Sequence, residues 1–172
     1  MASDRLEALR AAVLKAFAGV PPPRTDYADL YTRENLHYAG KQRLGNDNST
    51  NWSQISDELI EANCTELALL SAEADHYYLP AFLLYAIDHW KNSEVWDWTL
   101  IHLTRVPHKN DRASRDERNR ARLGCFTPAQ IQTVFDFLDL VLANTQDWIN
   151  WTDADRGKKY LMELLGETQR TK

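Results

Sequence analysis

Three histidines, His76, His89 and His102, stand 13 residues apart, and aspartates immediately precede the first two as Asp75 and Asp88. Imidazoles and carboxylates together build metal centres and general acid–base pairs, so this spacing is the first place to look for chemistry. A metal centre needs ligands converging at about 2 Å from one ion, and two ligands on one helix achieve this at i, i+4. Thirteen residues turn a helix by about 220° instead. The rings converge only if separate helices bring them together, and the residues favour structural or surface histidines over a metal site. Cys64 and Cys125 have no adjacent base and no motif that activates a thiol, so they read as small hydrophobes. There is no G-x-S-x-G, and six glycines leave little for a phosphate-cradling loop. The carboxylate pairs Asp57/Glu58, Asp136/Asp139 and Asp153/Asp155 resemble helix caps and solvated faces. No catalytic residue, metal or cofactor is assigned, and the balance leans against an enzyme.

A partner surface is better supported. Between Arg105 and Arg122 lie seven basic and three acidic side chains, a local charge of +4 in a chain of −5. A helix over Asp111 to Leu123 aligns Arg112, Arg115, Arg118 and Arg122 at spacings of three and four, a basic stripe suited to phosphates or an acidic protein. The bland reading is a charged loop, which the interleaved Asp111, Asp116 and Glu117 favour. Nucleic acid is disfavoured by the acidic balance and a pI near 5.5. An acidic protein partner, or the chain's own segment 123–155 with five aspartates and no Lys or Arg, is the more economical match.

The elements that must position these groups are helical. Leu6, Leu9, Val13, Phe17 and Val20 predict a first helix of about four turns, N-capped at Ser3 or Asp4 and stopped by Pro21–Pro23. A weakly patterned helix over 26–35 and an exposed loop over 40–51 follow. Ser56 predicts an N-cap with Asp57 and Glu58 in the first turn, and Ile55 and Ile60 form a hydrophobic staple. Another helix starts after Ser71, with a break expected at Leu79 and a fresh helix opening at Pro80, because proline lacks the N–H that would bond His76. The apolar pattern then predicts a helix from Ser93 to Thr104 through Trp96, Leu100 and Leu103. Thr127, Pro128 and Gln130 predict a capping box, followed by a stripe of Ile131, Val134, Phe135, Leu138, Val141 and Leu142. Tyr160, Leu161, Leu164 and Leu165 suit a closing helix, and residues 167–172 read as a frayed tail. No strand-like alternation or long repeat interrupts this pattern.

These elements imply an all-α fold, a compact single-domain bundle of about six or seven helices over 1–172. At 172 residues such a chain buries about 70% of its unfolded surface. Two cysteines are too few for a disulfide framework, and the longest dense apolar stretch, Leu79 to Ile87, is too short to cross a bilayer. The charged N-terminal residues do not read as a signal peptide. The expectation is a soluble, cytoplasmic protein with no membrane association and an unspecified oligomeric state. Seven aromatic side chains between Tyr77 and Trp98, including Phe82, Tyr85, Trp90 and Trp96, read as core in preference to a ligand pocket.

The run SAEADHYYLPAFLL at Ser71–Leu84, with Trp52 upstream and FTPAQIQTVFDFLDLVL downstream, resembles a bacterial family of unknown function composed of small single-domain proteins. Its recurring signature is a tryptophan, a short helix, "SPEA…YYLPAYL" and a later "LTxxQ…FL" helix. Tyr77, Tyr78, Leu79, Pro80 and Ala81 match the first motif, and Thr127 and Gln130 match the later cap. Ala72 replaces a frequent proline and Phe82 a frequent tyrosine, and segment 105–122 has no counterpart in the signature. The resemblance covers roughly 50–142 and implies a fold more than an activity. Two function classes are carried forward: a non-enzymatic interaction module that neutralises or regulates a partner, and a small-molecule or metal-dependent enzyme near Tyr77–Pro80.

Overall fold

The computed structural model describes residues 2–23, 44, 51–90, 92–104, 112–144 and 148–170. Within them lie seven α-helices and no strand: α1 Ala2–Ala16, α2 Asp57–Ala62, α3 Ala72–Asp88, α4 Glu94–Thr104, α5 Arg112–Gly124, α6 Pro128–Asn144 and α7 Trp148–Arg170. Short 3₁₀ turns occupy Trp52–Gln54 and Glu66–Leu69. The fold is all-α. The chain divides into two compact units, Met1–Thr99 and Leu100–Lys172, with the division falling inside α4.

In the first unit, α3 is the hub against which α1, both 3₁₀ turns and α2 pack. Twelve of its seventeen residues are buried, including Pro80. That burial corrects the expected break at Leu79: a helix apolar on nearly every side is held by tertiary packing, which offsets the roughly 3 kcal/mol that an interior proline costs. The Ser71 cap forms as expected, its Oγ accepting from the Ala74 N–H at 3.3 Å. Ser56 likewise caps α2, accepting from Leu59 N–H, with Ile55 and Ile60 buried as the staple. Backbone N–H donation, seconded by Ser56, holds the Glu58 carboxyl below the usual range.

Helix α1 starts at Ala2, so Ser3 and Asp4 sit inside its first turn and not at the cap. It ends before the prolines, and Gly19 supplies a left-handed φ of 75° in the following turn. Leu9, Val13 and Phe17 form its buried stripe. The expected helix over 26–35 lies outside the described residues, as does most of loop 40–51. Leu44, the one apolar residue of that run, is 0% exposed, and its carbonyl accepts the Tyr78 hydroxyl at 2.9 Å.

In the second unit, α7 is the hub for α5 and α6. The predicted capping box is complete: Thr127 N–H donates to Gln130 Oε1 at 2.8 Å and Gln130 N–H to Thr127 Oγ1 at 3.3 Å. The buried face of α6 is turned from the predicted stripe toward Phe137, with Thr133 and Leu140 also buried and Ile131, Phe135 and Leu142 only half-buried. Both Phe135 and Phe137 are apolar, so the pattern permits either centre. Tyr160, Leu161 and Leu164 are buried on α7, whose backbone continues through Gly166 to Arg170 where a frayed tail is expected. A lone helical glycine costs only about 1 kcal/mol, too little to stop a helix of this length. Among the described residues no helix is long and apolar enough to cross a membrane.

Candidate functional site

Helical periodicity puts Ala81, Leu84, Tyr85 and Asp88 along one side of α3, spaced by three and four residues. They line a cleft of about 140 Å³, open to solvent, whose other walls come from Arg10 of α1, the Trp52 turn, and Asp57 and Ile60 of α2. Trp52 is fixed by donation of its indole N–H at 2.9 Å to the Phe17 carbonyl, which also accepts from the Val20 N–H in the turn after α1. Buried Ile55 and Ile60 give the cleft an apolar side.

The cleft is also lined by charged side chains. Arg10 Nε–H is shared between the two Asp88 carboxylate oxygens at 3.1 and 3.3 Å. The His89 ring, just beyond the end of α3, stacks on Tyr85 with centroids 4.2 Å apart and planes at 23°. Its Nε2 lies 3.8 Å from Asp57 Oδ2. The Tyr85 hydroxyl donates to Glu61 in a short hydrogen bond, and burial, then the Glu61 carboxylate, pushes the phenol up to about 12. Tyr85 is therefore a neutral donor at ordinary pH. Asp57 and Asp88 remain 66% and 45% exposed in their side chains, leaving both carboxylates accessible to a ligand.

The residues singled out in the sequence occupy different places. Tyr77, Tyr78, Leu79, Pro80 and Ala81 are all buried, and the two tyrosine rings meet edge to face at 5.0 Å. Trp52 is core on one side and cleft wall on the other. Thr127 and Gln130 are the cap described above. Of the three histidines, His76 lies beside the Phe17 ring, His89 lines the cleft and His102 faces Arg122. Among the described residues, no three His, Cys, Asp or Glu side chains group to hold a metal ion. Cys64 and Cys125 are free thiols; burial and then Glu94 push the Cys64 thiol up, away from reactivity. Five of the seven aromatic side chains are core, whereas Trp90 is half-buried and Trp98 is 39% exposed.

Segment 112–124 is helical, but the arginine stripe is not uniform. Arg115 and Arg118 are half-buried. Arg122 is only 7% exposed, and one of its terminal nitrogens donates to His102 Nε2 at 2.9 Å. Arginine can only donate, so His102 Nε2 is the lone-pair nitrogen. Arg122 thus has a packing role that the sequence spacing alone does not anticipate. On the neighbouring positions of α5, Asp116 accepts from the Tyr160 hydroxyl at 2.5 Å and Asn119 donates to it at 3.1 Å.

The cleft is the feature missed in the sequence. Its charged members, Arg10, Asp57 and Asp88, are 78 residues apart at the widest, and no local motif joins them. The available signal was the pair Asp88-His89 together with Tyr85 four residues earlier, which the histidine spacing drew attention to for a different reason.

These features define an all-α protein with a small charged cleft on a buried hub helix. The chain belongs to a family of unknown function (DUF6714), whose family model matches residues 6–161. The match extends beyond the resembling stretch at both ends and its range includes 105–122. No curated protein and no solved structure matches the chain.

Proposed function

We propose that this chain is a non-enzymatic protein-interaction or regulatory module, of the kind that neutralises or regulates a cytoplasmic partner. The observation that carries the reading is the closed aromatic core around Pro80: Tyr77, Tyr78, Leu79 and Phe82 are all buried, so the Tyr77–Pro80 motif is packing surface and does not line a solvent-connected pocket. The second support is α5, whose Arg115 and Arg118 supply a cationic face for an acidic protein partner. Nucleic acid is a poorer match to a chain of net charge −5. The alternative, a small-molecule or metal-dependent enzyme at Tyr77–Pro80, has less support because those rings are closed into the core.

The test is affinity capture with the tagged chain from its native cells, comparing wild type with the Arg115→Ser/Arg118→Ser double variant. A partner held by wild type and lost by the variant, with affinity falling as salt rises, is the expected result. Equal retention by both, or turnover of a small molecule by the purified chain, overturns the reading. Arg122 is left unchanged, since its substitution perturbs packing.

A further inference from the structure

The cleft on α3 already holds a guanidinium, that of Arg10, against Asp88. Arg10 and Asp88 are each nearly half exposed, so this ion pair is readily exchanged with solvent and adds little to stability. Beside it stands a second carboxylate, Asp57, whose Oδ2 lies 3.8 Å from His89 Nε2, beyond hydrogen-bond range. The His89 ring, 44% exposed and backed by the buried Tyr85 ring stacked beneath it, supplies a flat face of the kind on which planar guanidinium groups pack. Ile55 and Ile60 supply an apolar side for the methylene stem of such a group. At about 140 Å³ the cleft has the size of one side chain, below the ~300 Å³ typical of drug-sized pockets. The unit that contains it carries 8 basic and 15 acidic residues, a charge of −7 that steers cations toward it.

We propose that this cleft binds a guanidinium carried on an alkyl chain, with Arg10 as the internal occupant that the ligand displaces from Asp88. The arriving group pairs with Asp88, lies against the exposed His89 ring and takes a further charge contact from Asp57. This proposal uses no residue of α5 and stands whether or not the α5 face meets an acidic partner.

Calorimetric or NMR titration of the full chain tests it with three probes: N-ethylguanidinium, a capped Gly-Arg-Gly peptide and the neutral citrulline peptide of the same shape. Saturable binding of the cationic probes is expected with Kd on the order of a millimolar for wild type. Arg10→Ala tightens binding about ten-fold by removing the competitor, and Asp88→Asn weakens it about ten-fold. Tighter binding of the peptide assigns the group to a protein arginine; tighter binding of N-ethylguanidinium assigns it to a small molecule, and either supports the site. Equal binding of the citrulline peptide, no saturation with Arg10→Ala, or no gain from that substitution overturns the proposal. Asp57→Asn, at an exposed first-turn position, gives a second loss of affinity, with circular dichroism reporting that each variant is folded.

Discussion

Tyr85 links the core to the cleft, since its ring is buried while its hydroxyl reaches Glu61. A phenol raised to about 12 binds its proton more tightly folded than unfolded. The corresponding stability is complete below the ordinary tyrosine value near 10 and is lost as pH rises through about 12. Because Glu61 is exposed and solvent screens the pair, the loss is about 1–2 kcal/mol, less than the full shift implies. Urea melts between these pH values are expected to show that loss in wild type and not in Tyr85→Phe; an identical alkaline decline in both would remove Tyr85 as the cause. Arg122 and Arg115 make a second residue-scale contrast. Arg122→Ser removes a packed stem and the donor to His102, costing about 1–3 kcal/mol, whereas Arg115→Ser, on the half-exposed part of α5, changes stability by about 0.5 kcal/mol or less. Comparable urea midpoints for the two variants would contradict the burial difference. The arginine spacing was legible in the sequence, but only the position of His102 distinguishes the two arginines.

At the scale of elements, Gly157 of α7 has no room for a side chain, whereas Gly166 of the same helix does. A Cβ built at Gly157 would stand 2.4 Å from Thr104 Cα, against the backbone at the end of α4 and not against a flexible side-chain tip. Gly157→Ala is expected to destabilise by about 1–3 kcal/mol despite alanine's better helix propensity, a prediction that a wild-type-like denaturation curve would sink. The α6 cap is a local counterpart: Thr127→Ala costs about 1 kcal/mol, measurable by the same melts. Caps and staples were readable because they depend on residues three or four apart, as at Ser56, Ser71 and Thr127. Continuity of α3 through Pro80 was not readable, since the packing that offsets the proline comes from α1 and other elements distant in the chain. For the same reason the face of α6 turned toward Phe137: the stripe offered two apolar centres, and packing chose one.

At the scale of the molecule, charge divides unevenly. The first unit carries −7 and the second, with 12 basic and 10 acidic residues, carries +2. Under the two proposals, ligands of opposite sign go to different units, a cation to the cleft and an acidic partner to α5. Raising ionic strength from low to physiological is expected to weaken both, and binding indifferent to salt would show that neither rests on charge. The sequence by itself determined the helical class, the principal caps, the aromatic core and the basic segment, because each follows from side-chain type and spacing within a few turns of helix. Only the tertiary structure decided that Arg122 is buried, that Leu44 enters the core, and that Arg10, Asp57, Tyr85, Asp88 and His89 share one cleft. Those outcomes depend on contacts between residues far apart in the chain, which no local period encodes.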